Sequence, residues 1–197
     1  MDPLDPTRDH FVTAYDTAPP WDIGRPQRDV VTALDELAST GRALDVGCGT
    51  AEHVLELARR GIDAWGVDST DKALVLGRAK AAERGLTVHL VQGDALDLVG
   101  LKTRFDLVLD CGLFHVVRDD ERAAYAAQIA QVLNAGGHFL MLGFQTNDSG
   151  FGPRGYSQQQ LRDFLTSDFE EVWVRPADWE VNDRAPMPAW LSLFRRR

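Results

Sequence analysis

The segment that most constrains this chain is Ala43-Leu-Asp-Val-Gly-Cys-Gly-Thr-Ala51, a short apolar strand running through a glycine-rich turn into a helix. Gly47 and Gly49 permit the positive φ and close backbone approach that such a turn needs. The β–α pattern recurs downstream. Further strands are expected over Ala64–Val67, Val88–Val91, Phe105–Leu109 and His138–Phe144, with helices over Ala51–Arg60, Asp71–Arg84 and Asp119–Leu133. In the last helix Ala123, Ala126, Ala127, Ala130 and Leu133 recur at helical spacing. Asp119-Asp120-Glu121 would place acids at the positive end of its dipole, and Asn134-Ala-Gly-Gly would end it. An α/β domain with a parallel sheet is therefore expected.

The ends of the chain read differently. Ser157-Gln-Gln-Gln160 has the capping-box spacing and opens a helix to about Leu165. Phe169–Arg175 and Trp190–Phe194 follow as two strands, suited to an antiparallel hairpin at a sheet edge. Ahead of the first strand, helices are expected around Asp9–Asp16 and Gln27–Ser39, separated by Ala18-Pro-Pro-Trp21. One domain is expected, with a helical cover over 1–40, a core over 41–145, and a loop with terminal strands over 146–197.

Composition excludes several classes. With 21 Lys and Arg against 30 Asp and Glu, the net charge of −9 argues against a surface that neutralises nucleic-acid phosphates. No apolar run approaches the ~20 residues of a membrane span. Cys48 and Cys111 form neither a disulfide framework nor a metal pair, and no histidine spacing indicates a metal, so a reduced cytosolic protein is expected.

The glycine turn narrows the ligand. A dinucleotide fingerprint wants a third glycine where Glu52 stands, and a carboxylate there would repel a pyrophosphate; no GK[ST] follows for a P-loop. The register that fits is Asp45-x-Gly47-x-Gly49-x-Ala51, which resembles motif I of the class I S-adenosylmethionine (SAM)-dependent methyltransferases, D-x-G-x-G-x-G, with Ala51 at the last glycine. Asp68-Ser69 closes the second strand, Asp94-Ala95 follows the third, and Asp110 ends the fourth. Leu133-Asn-Ala-Gly-Gly is similar to the family's L-x-P-G-G entry to strand five. Acids at successive strand ends would face one crevice, suiting a ligand with a sulfonium and an ammonium.

The resemblance implies a Rossmann-like, doubly wound seven-stranded sheet, mostly parallel with one antiparallel strand near the C-terminus. It implies SAM as cofactor, S-adenosylhomocysteine (SAH) as product, ribose held by Asp68, adenine by Asp94, and the methionine portion by the Asp45–Gly49 turn, including Cys48. Pro19-Pro-Trp-Asp-Ile-Gly-Arg-Pro-Gln27 resembles the cover of the thiopurine, tellurite-resistance and halide/thiol methyltransferases, placing Trp21 near the sulfonium as a cation–π partner or a packing staple. Asp22 would meet the ammonium, or pair with Arg25 or Arg28. The acceptor is expected to be a small molecule attacking through S, N or O, handled by a monomer or homodimer. His115 is the candidate general base or lining residue, and Phe114, Phe144, Phe151, Arg154 and Tyr156 are candidate acceptor contacts. A second reading has the same fold binding SAM in a reaction other than methylation.

Overall fold

The computed structural model describes residues 11, 13–37, 41–146, 155–165 and 168–197. Its elements run α1 (Arg28–Leu37), β1 (Arg42–Val46), α2 (Glu52–Arg59), β2 (Asp63–Asp68), α3 (Asp71–Glu83), β3 (His89–Gln92), β4 (Phe105–Cys111), α4 (Arg122–Val132), β5 (Leu133–Phe144), α5 (Gln158–Leu165), β6 (Phe169–Trp179) and β7 (Met187–Arg196). Of the helix expected over Asp9–Asp16, residues 11, 13 and 14 are helical, while 9, 10 and 12 lie outside the described residues.

The strands form one sheet in the order β3-β2-β1-β4-β5-β7-β6. β1 to β5 pair in parallel, and β7 lies antiparallel to both β5 and β6. This is the expected doubly wound sheet. Alternate residues feed two cores: Leu44, Val108, Phe139 and Met141 pack on one side with Tyr125 and Ile129 of α4, while Ala43, Leu107, Leu109, Leu140 and Leu142 pack on the other with Leu57 of α2. Burial on both faces explains why the central strands read as continuous apolar runs. The strand order reverses between β1 and β4, and the crevice beyond their C-terminal ends is where such sheets bind ligands.

Three boundaries differ from expectation. α4 begins at Arg122, leaving Asp119 outside the helix, where it pairs with the buried Arg122 guanidinium at 3.1 Å. At its other end Leu133 turns directly into β5, and Asn134 Nδ2 donates to Asp106 Oδ1 at 2.8 Å, so the Asn-Ala-Gly-Gly stretch belongs to the strand. β6 and β7 both run longer than expected, through Pro176 and Pro188. Because β6 is the edge strand, a proline within it is tolerated. The capping box forms as expected: Ser157 N donates to Gln160 Oε1 at 2.9 Å, and Gln160 N to Ser157 Oγ at 3.2 Å.

Candidate active site

The turn after β1 is held by backbone bonds to its neighbour. Gly47 N and Cys48 N both donate to Val67 O, at 2.8 and 3.1 Å. Gly47 and Gly49 adopt φ 72° and 52°, and a Cβ on Gly49 would stand 2.7 Å from Tyr15 Oη, so glycine is required there on both counts. Ala51 also sits in the left-handed region, at φ 70°, where an L-residue carries a strain of roughly 1–2 kcal/mol. Its methyl is buried against Gly77 of α3, so the family glycine is replaced by a residue that packs.

Around this turn opens a cavity of about 680 Å³, in the upper part of the range for small-molecule sites. Asp45, Gly47, Cys48, Gly49, Asp68, Ser69, Asp94 and Ala95 line it, as does Trp21 of the cover. Asp68 organises the turn: Oδ2 accepts from Gly49 N at 2.9 Å and Oδ1 from Thr70 N at 2.8 Å. Burial raises its pKa, an effect that these hydrogen bonds oppose. Asp94 Oδ1 accepts from Leu96 N at 2.9 Å. Asp45 is different. It is buried at the end of β1, neither carboxylate oxygen has a hydrogen-bond partner, and burial together with Asp110 and Asp68 holds its pKa well above the usual range.

Asp110 does not belong to this wall. It turns inward, where Oδ1 accepts from Leu113 N at 2.9 Å and Oδ2 accepts from Phe114 N at 3.0 Å and Tyr125 Oη at 2.7 Å. Its work is to fasten the turn after β4 to α4, and burial pushes its pKa up to about 6. Glu52 is also reassigned. Its carboxylate is engaged by Arg84 at 2.8 and 3.1 Å and by Lys80 Nζ at 2.8 Å, so its charge is neutralised and the pyrophosphate-repulsion argument does not hold. Asp22 pairs with neither Arg25 nor Arg28; its Oδ1 accepts from Thr50 Oγ1 at 2.9 Å and lies 3.6 Å from Lys80 Nζ.

The opposite wall is aromatic. His115 and Phe144 stack with centroids 4.6 Å apart, and Trp179 at the end of β6 meets them at 5.4 and 5.0 Å. All three line the cavity, with Val116, Val117, Val181 and Met187. His115 Nδ1 accepts from Phe144 N at 3.5 Å, and burial, with Arg122 nearby, lowers its pKa to about 3. Phe114 and Tyr156 lie behind this wall in the core, their rings 5.3 Å apart, with the Arg122 guanidinium 4.9 Å from the Phe114 ring; neither lines the cavity. Arg154 and Phe151 lie outside the described residues. Cys48 and Cys111 are free thiols at the cavity, and burial raises both far above the ordinary range. Among the described residues no group of three His, Cys, Asp or Glu side chains is placed to hold a metal.

Sequence reasoning missed Tyr15, Gln27, His53, Trp179 and Met187, all at the cavity. Trp179 and Met187 fell between the two expected terminal strands, Phe169–Arg175 and Trp190–Phe194. His53 carried one available signal, its place two residues into the helix after the glycine turn.

A glycine turn at the switch point of a doubly wound sheet, followed by an acid at each of the next two strand ends, defines a Rossmann-like nucleoside-binding protein. The comparisons sharpen that class. A methyltransferase domain family matches residues 43–137. The 2-heptyl-1-hydroxyquinolin-4(1H)-one methyltransferase of Mycobacteroides abscessus is 32% identical over 174 residues, 85% of this chain and 71% of that protein. Among solved structures, one concerning conversion of a disulfide bond into a thioacetal group during echinomycin biosynthesis superposes with a TM-score of 0.87 at 30% identity, covering 96% of this chain and 93% of the other. TehB from Haemophilus influenzae superposes with a TM-score of 0.73 at 18% identity over 96% of this chain and 66% of its own, a likeness of fold alone. The chain belongs to the SAM-dependent methyltransferase family. Its cofactor is SAM. The residues present fit that group: Asp45 offers an orphaned buried carboxylate, and the turn at Gly47 and Gly49 leaves no room for a side chain.

Proposed function

We propose that this enzyme methylates an S, N or O nucleophile carried on a small, flat, largely apolar molecule. The observation that carries this reading is the His115–Phe144–Trp179 wall facing the cofactor turn across one cavity. Flat rings gain from stacking on such faces, and the apolar surroundings exclude water. The hydroxyquinolone named for the Mycobacteroides relative is a flat heterocycle of this kind, and the cover segment resembles those of enzymes acting on small soft acceptors.

When bound, SAM supplies a methyl group already activated by its sulfonium. The chain's own task is placement, and in-line orientation of reacting groups is worth up to ~7–11 kcal/mol. Asp68 would hold the ribose hydroxyls, Asp94 the adenine amino group, and Asp45 with the Gly47–Gly49 turn the methionine end. His115 remains neutral at physiological pH with Nδ1 occupied, so it shapes and orients the acceptor and does not take its proton. This reading divides the chain into a cover over 1–40, a cofactor-binding core over 41–145 that also supplies His115 and Phe144 to the acceptor wall, and an acceptor loop with terminal strands over 146–197 that supplies Trp179.

The test is incubation with SAM and a panel of thiols, phenols and hydroxylated heterocycles, including 1-hydroxyquinolin-4(1H)-one. Products are read by mass spectrometry as the gain of one methyl. Methylation confined to flat-ring acceptors is expected. Firm SAM binding with no product from any acceptor would favour the second reading, a fold put to a different reaction.

A further inference from the structure

His53 joins the two halves of the site. Its ring is largely covered on α2, 12% exposed, and Nε2 accepts a hydrogen bond from the backbone N–H of Gln27, the last residue before α1, at 3.1 Å. A neutral imidazole that accepts at one nitrogen carries its proton on the other. That other nitrogen, Nδ1, faces Asp45 Oδ2 at 3.8 Å, just beyond hydrogen-bond distance. Asp45 is the carboxylate with two unpartnered, buried oxygens.

Gln27 in turn grips the β6–β7 hairpin. Its side-chain amide donates to Glu180 O at 2.9 Å and accepts from Glu180 N at 2.8 Å. Glu180 is one residue beyond Trp179, so this clasp ends at the aromatic wall. Asn182 completes the joint, its N donating to Pro20 O at 3.0 Å and its Nδ2 to Asp22 O at 2.8 Å. A series of hydrogen bonds thus runs from His53 through Gln27 to Glu180, next to Trp179 of the wall, with Asp45 3.8 Å from its starting point.

We infer that His53 is a positioning residue: it secures the N-terminal cover to the methionine end of the cofactor site, so that filling this site tightens the cover and the β6–β7 hairpin together. The inference rests on the proposed placement of the methionine end at Asp45. A cation beside Asp45 favours its ionised form, and an ionised Asp45 draws the Nδ1–H of His53 toward it through a charge-assisted hydrogen bond. Tightening at His53 is passed to Gln27 because the same ring holds both contacts. The acceptor wall, already packed, is then held more rigidly once the cofactor is in place.

The test is hydrogen exchange of the full chain with and without SAH, together with calorimetric titration of SAH, on the wild type, His53→Gln and His53→Leu. In the wild type, SAH is expected to slow exchange about tenfold or more over residues 21–28 and 179–183, as well as in the glycine turn. His53→Gln, whose amide oxygen can still accept from Gln27, keeps that protection. His53→Leu binds SAH and protects the turn, but the cover and hairpin exchange as in the free protein. Full protection of both segments in His53→Leu would overturn the inference, and so would wild-type protection restricted to the turn, a result that needs no variant to fold. Failure of SAH to bind the wild type would instead sink the cofactor-site reading.

Discussion

At the residue scale, two aspartates at strand ends do two different things. Asp68 holds Gly49 and Thr70 by their backbone N–H groups and lines the cavity, so Asp68→Ala removes both the proposed ribose acceptor and a brace of the turn. Each charge-assisted bond is worth roughly 1.5–3 kcal/mol, and SAH binding measured by calorimetry is expected to weaken at least tenfold. An unchanged affinity would remove Asp68 from the cofactor site. Asp110 affects stability instead. Its folded pKa of about 6 lies above the ~3.9 of an unfolded aspartate, so the native state binds the extra proton between those values. Stability therefore falls as pH rises from about 4 to 6, by about 3 kcal/mol in all. Asp110→Asn cannot titrate, and urea unfolding of this variant across pH 4–7 is expected to lack that component of the slope. The strand-end positions of these acids were legible in the sequence, but their directions were not. Asp110 turns inward because Tyr125 and two backbone N–H groups satisfy it there, partners fifteen, three and four residues away.

At the scale of elements, α2 and α3 are joined by charge. Glu52 in the first turn of α2 takes Lys80 from the last turn of α3 and Arg84 from just beyond its C-terminus. Its oxygens are nearly buried while the cations remain partly exposed, so Glu52→Gln is expected to lower stability by about 1–3 kcal/mol in urea unfolding, less than a fully buried pair would cost. A loss below about 0.5 kcal/mol would mean that the network is merely a surface arrangement. The β–α–β order was readable because each central strand is an apolar run ended by glycine, aspartate or cysteine. The capping box at Ser157 was readable because it is local. The full length of β6 and β7 was not, since Pro176, Asp178 and Pro188 carry the composition of a loop. Pro176 and Asp178 are allowed by the place of β6 at the sheet edge, and Pro188 by lying one residue beyond the β5–β7 pairing; strand order and register are not local properties. Trp179 and Met187 were missed as wall residues for the same reason.

At the scale of the whole molecule, the first described segment is bound to the last hairpin. Arg25 makes a two-bond contact with Glu180 at 2.9 and 3.0 Å, Asp29 accepts from Asp178 N at 2.8 Å, and Arg175 reaches Glu36 at 3.0 and 3.1 Å. Arg25 beside Glu180 lowers the carboxyl pKa to about 2. That stabilisation is present above the unfolded value near 4.3 and is lost as pH falls toward 2. Because the Arg25 side is exposed, Glu180→Ala is expected to change global stability by no more than about 1 kcal/mol. It should nonetheless speed proteolysis within residues 18–27, read by mass spectrometry of the fragments. Equal cleavage rates in the variant and the wild type would show that the cover is held by packing alone.

The same joint bears on how the molecule comes into being. A ribosome releases Pro20 and Gln27 early, yet their partners Glu180 and Asn182 follow more than 150 residues later. The glycine turn and the first parallel strands can assemble on the emerging chain, whereas the roof of the cavity must wait until the hairpin has been translated. On the proposed reading, the cofactor turn is encoded in the portion made first, whereas Trp179, which completes the aromatic wall with His115 and Phe144, is in the portion made last.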